Sequence, residues 1–107
     1  MIEITYLEQK QLSLLRHLKI AGEKLFKLKI HDDLSPIGWH IIHCLYVECI
    51  WIRSQFLDDN ELVNKLKDTA DGIEIKPKNR GLKLPNYEYL YKLARSEFKK
   101  NLIFIQS

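Results

Sequence analysis

The chain has 107 residues, 46% of them hydrophobic and 29% charged, which is enough for one globular domain with one core and excludes a disordered tail, a collagen-like repeat or a second domain. Seventeen Lys and Arg against fourteen Asp and Glu leave a net charge of +3, too small and too dispersed to name nucleic acid or an anionic membrane as partner.

Met1 to Thr5 carry no basic or apolar stretch and no small-residue cleavage site, so no secretory signal is read there and a reducing, cytoplasmic setting is expected. From Leu7, apolar residues at Leu7, Leu14, Leu18, Ala21, Leu25 and Leu28 keep one face of a first helix that ends near Ile30. Gln11, Arg16, Lys19 and Glu23 go to its outer faces, and Gly22 offers a place for another backbone to come close. Ser35-Pro36 then restarts the chain as a second helix, with Ser35 placed to cap and Pro36 at the first helical position. From there to Leu57 only Glu48 and Arg53 are formally charged, and apolar residues point all round the cylinder. The two histidines and the glutamate in this run argue against a membrane span and for the central helix of a bundle.

Asp58 to Pro85 is polar and predicts a long connection with a short helical turn at Glu61 to Leu66, a turn at Asp71-Gly72 and an extended piece at Ile73-Glu74-Ile75. Its Lys76, Lys78, Arg80 and Lys83 could meet an anion, although a solvated loop is the simpler expectation. Asn86 caps a third helix in which Leu90, Ala94, Phe98, Leu102 and Ile105 recur at about four-residue steps. The expected architecture is therefore all-α: an incomplete up-and-down bundle of three helices that lacks a wall. A fourth helix from further sequence of the same protein, or from a second copy in a homodimer, is expected to cover the apolar middle helix.

Few residues carry chemistry. His40 and His43 stand three apart on the second helix and could lean toward one site as neutral ligands to zinc or iron, but two ligands do not make a site, and hydrogen-bonded packing is the commoner use of such a pair. Glu48 could orient a ligand imidazole, or pair with Arg53 or another partner at the bundle edge. Cys44 and Cys49, five apart, face different directions on a helix and read as small buried hydrophobes that cannot bridge each other. No glycine-rich phosphate loop, serine elbow or spaced cysteine cluster is present. Trp39, Tyr46, Trp51 and Phe56 read as core, without a base-stacking platform, so nucleic-acid binding is not expected.

The segment Ser35-Pro36-Ile37-Gly38-Trp39-His40-Ile41-Ile42-His43 resembles the S-P-x-x-W-x-x-x-H signature of DinB-like domains, in particular the N-terminal domain of the iron-dependent sulfoxide synthases of ergothioneine and ovothiol biosynthesis. Glu48 and Trp51 stand where those proteins often carry an acid and an aromatic, and Ile75 to Pro85, with Arg80, Leu84 and Pro85, resembles their loop ahead of the next helix. The resemblance implies a four-helix bundle in which three histidines hold non-haem iron(II), one from this helix and two from a later H-x-x-x-H-x-E motif. His43 is the position that matches, and His40 falls where the family varies. No histidine follows Phe98, so the later motif is missing, as is a C-terminal catalytic domain. The complete relative would use oxygen at iron to join a sulfur to a histidine derivative. This chain is expected to be the front part of such a domain and inactive alone. The alternative is a non-enzymatic helical module that buries its second helix by self-association or against another protein.

Overall fold

The computed structural model describes residues 4–106. Its elements are α1 (Ile4–Leu25), α2 (Ile37–Cys49) running on without a break into a π-helical segment (Ile50–Gln55), α3 (Glu61–Ala70), a short 3-10 turn (Pro77–Asn79) and α4 (Tyr87–Gln106). There is no strand among the described residues. α2 lies in the middle and touches α1, α3 and α4, while α1 and α4 also pack on each other.

The fold is all-helical, as expected, but with four helices rather than three. Residues 61–70 add a fourth helix, which packs on α2. In α3, Leu62, Leu66 and Ala70 recur every four residues and turn inward, with Leu66 and Ala70 buried on the core. What read as a single short turn thus continues for ten residues, stopping where Asp71 leaves helical backbone. The extended piece expected at Ile73-Glu74-Ile75 is instead a turn: Asp71 Oδ1 accepts the N–H groups of Ile73 and Glu74 at 2.8 and 3.2 Å, and Ile75 N–H donates to the Asp71 carbonyl at 3.1 Å.

α1 also departs from its periodic face. Leu18 is buried, but so are Leu15 and Gln11, the latter expected outside, whereas Leu25 and Leu28 are more than half exposed. Gln11, Leu15 and Leu18 form one face at regular helical spacing, and beyond it Gly22, whose φ of 69° breaks the helical register, lets Phe26 turn into the core in place of Leu25 and Leu28. Gly22 has open space around it. The close approach expected there occurs at Gly38, where the Phe26 carbonyl accepts the Gly38 N–H at 2.9 Å and an added Cβ would lie 2.9 Å from that same oxygen.

α2 starts where expected, with one change. Pro36 is itself the N-cap residue, its carbonyl accepting from Trp39 and His40, and Ser35 does not cap. At α4 the expected cap is present: Asn86 Oδ1 accepts the Tyr89 N–H at 2.9 Å. Leu90, Ala94 and Phe98 are buried. No helix is long and apolar enough to cross a membrane.

Candidate functional site

His43 sits half-buried on α2 facing the C-terminal end of α3. The last carbonyls of a helix have no partner within it, and α2 supplies partners from its side chains. Trp39 Nε1–H donates to the Thr69 carbonyl at 3.0 Å, and His43 Nδ1 lies 2.7 Å from the Ala70 carbonyl. A carbonyl only accepts, so Nδ1 carries the proton and Nε2 is left with its lone pair. The imidazole stacks on the Trp39 ring, with centroids 4.5 Å apart and planes within 10°. Gly72 closes against its Cε1, since a Cβ there would lie 2.9 Å away. Tyr46 adds a longer bond to Asp71 at 3.4 Å.

The loop after α3 completes this corner. The Arg80 guanidinium lies over the Trp39 ring at 4.6 Å and donates to the carbonyls of Ile75 and Gly72. Gly81, at φ 92°, sits so close to the Pro36 ring that a Cβ would overlap it, and Leu84 is buried beside Gly38. Of the residues on which the resemblance rests, Pro36, Trp39, His43, Arg80 and Leu84 are therefore one spatial cluster around the first half of α2, whereas Glu48 and Trp51 stand further along the rod. His40 is mostly exposed and edges onto Trp39. Its pKa is lowered by partial burial and by the nearby His43 and Arg80.

Glu48 bonds neither an imidazole nor Arg53, and its partners come from the flanking helices instead. Its Oε1 accepts from Gln11 Nε2 at 2.7 Å and from Asn101 Nδ2 at 3.1 Å. Asn101 Oδ1 accepts from Arg53 Nε at 2.7 Å, and Arg53 Nη2 pairs with Glu97 Oε2 at 2.7 Å. A buried polar chain thus runs from α1 through α2 and α4 to the π-helical segment. An α-helix would put Glu48 and Arg53 about 140° apart around the rod; the wider turns of the π-helical segment, with their i→i+5 bonding, let both reach Asn101. Burial raises the Glu48 pKa against the opposing bonds from Asn101 and Gln11. At Glu97 burial also works against the charge, but the bonds and charges of Arg53 and Lys100 together outweigh it and hold the carboxyl below its ordinary value. Gln11 and Asn101 were not anticipated as site residues, yet each stands in core register: Gln11 with Leu15 and Leu18, Asn101 with Ala94 and Phe98.

Cys44 and Cys49 are both free thiols; Cys49 is buried as expected and lies 3.6 Å from Asn101 Nδ2, whereas Cys44 is only partly buried. Among the described residues no group of three or more His, Cys, Asp or Glu converges in a way that could hold a metal ion. No family model, no curated protein and no solved structure matches the chain.

Proposed function

We propose that this chain is the helical part of a DinB-like domain, similar to the N-terminal region of the iron-dependent sulfoxide synthases, and that it contributes His43 as one oriented ligand rather than a whole catalytic centre. The observation that supports this is the His43 imidazole itself. Nδ1–H is fixed on the Ala70 carbonyl, the ring is clamped by Trp39 and Gly72, and Nε2 keeps its lone pair, which is how ligand histidines are usually held. Iron(II) does not fit the described residues of this chain alone, because useful affinity needs several ligands around one ion and only His43 is placed for it. The chain therefore has no oxygen-dependent C–S bond chemistry by itself, and the remaining ligands would come from other residues of the same protein or from a partner.

Anaerobic titration with Fe(II), followed by NMR, tests this. Weak binding centred on His43 and abolished by His43→Ala is expected. Tight stoichiometric binding, or perturbations that survive the substitution, would overturn it.

A second reading is favoured by a different observation. Val47, Trp51 and Phe56 leave an apolar strip of the central rod exposed, Trp51 by 62% and Phe56 by 80%. In this reading the chain is an interaction module that covers the strip by self-association. Sedimentation that shows a dimer at micromolar concentration, dissociated by Trp51→Lys, is its expected result, and a monomer at all concentrations rules it out.

A further inference from the structure

Between α1 and α2 lies an open groove of about 380 Å³. Leu7, Val47, Trp51 and Ile52 make its apolar walls, His43 and Cys44 line it as well, and Glu48 is the one acid in its lining. The carboxylate is used on one side only. Oε1 is occupied by the Gln11 and Asn101 amides, whereas Oε2 makes no bond among the described residues and is accessible. Glu48 forms no direct ion pair with any described residue: the guanidinium of Arg53 is bonded to Glu97 and Asn101 and favours the Glu48 charge only through space.

A half-buried carboxylate beside apolar walls recovers its lost hydration when a cation with its own apolar body docks against it. From this charge complementarity we infer that the groove binds a small primary ammonium compound bearing an alkyl or aryl group, its N–H donors on Glu48 Oε2 and its apolar part against Val47 and Trp51. Trp51 at the rim adds the face of an indole, which also favours a cation. The volume is that of a small-ligand site. A stable protein partner would instead need about 20–30 residues on each side, far more than line this groove. A metal ion is not the expected occupant, since the groove's donors do not make a coordinating group. His43 lines the same groove, but the amine is recognised by Glu48 and Trp51, so the amine titration can fail or succeed whatever His43 does toward iron.

The test is an NMR titration of the folded chain with 2-phenylethylamine, with 2-phenylethanol as the neutral counterpart of the same shape. We expect saturable shifts at the groove residues and at the Trp51 indole, with the amine bound about tenfold more tightly than the alcohol. Glu48→Gln keeps an oxygen for the Gln11 and Asn101 amides and should bring the amine down to the alcohol's affinity. Trp51→Ala, at an exposed position that leaves the core intact, should weaken both ligands. Equal binding of amine and alcohol, amine binding undiminished in Glu48→Gln, shifts that map elsewhere, or no saturable shift at millimolar amine would each overturn the proposal.

Discussion

Two carboxylates in one buried chain respond to pH in opposite senses. Glu48 has a raised pKa, so its contribution to stability is full below the ordinary carboxylate range and is lost as pH rises through its raised folded value. Glu97 has a depressed pKa, so its contribution is present above the ordinary range and is lost as pH falls through the depressed value. Glu48→Gln should therefore stabilise the chain at neutral pH by about 1 kcal/mol, a gain that fades on acidification and is read from urea midpoints across pH. Arg53→Met acts the other way. It leaves Asn101 Oδ1 without its donor and the part-buried Glu97 with only the exposed Lys100 as its cation, and should cost about 3 kcal/mol at neutral pH. Adding Glu97→Met to Arg53→Met should recover a large part of that loss in the same denaturation experiment.

At the level of elements, what could be read from residues depended on how local the cause was. The start of α2 at Pro36 and the cap of α4 at Asn86 are set by neighbours in sequence, and both appear within a residue of expectation. α3 was only half legible, because its inward residues are few and its surface is polar, so that contact with α2 rather than its own pattern carries it past Leu66. Phe26 could not be foreseen from periodicity, since the break at Gly22 changes which residue faces inward. His43 was legible as a residue type at a recognisable spacing, but its orientation was not: the carbonyl that fixes it belongs to a residue 27 positions away. The partners of Glu48 were hidden for the same reason, lying 37 and 53 positions off. Gly38 tests how tightly the elements meet. In Gly38→Ala the new methyl would meet backbone, the Phe26 carbonyl, which cannot rotate away, and a loss of about 1–3 kcal/mol is expected from the thermal midpoint. Gly22→Ala meets no neighbour, but at φ 69° and ψ −177° its backbone lies in a region nearly confined to glycine, so a loss of about 1–3 kcal/mol is expected there from backbone strain alone.

Across the whole molecule the four helices are not equally bound in. α1, α2 and α4 each touch the other two, whereas the packing of α3 is overwhelmingly against α2. Three α2 side chains, Trp39, His43 and Tyr46, tie to consecutive residues Thr69, Ala70 and Asp71 at its end. A unit held along one seam opens before the rest of the structure does. Amide hydrogens of 61–70 should exchange with deuterium together, and well before those of 90–98, with a shared opening free energy below that of global unfolding; protection equal to that of α4 would contradict this. Each such opening has a chemical corollary. It cuts the tether on the Nδ1 proton, lets the ring turn and switch tautomer, and so makes the nitrogen that His43 offers to its surroundings a matter of how often one short helix breathes.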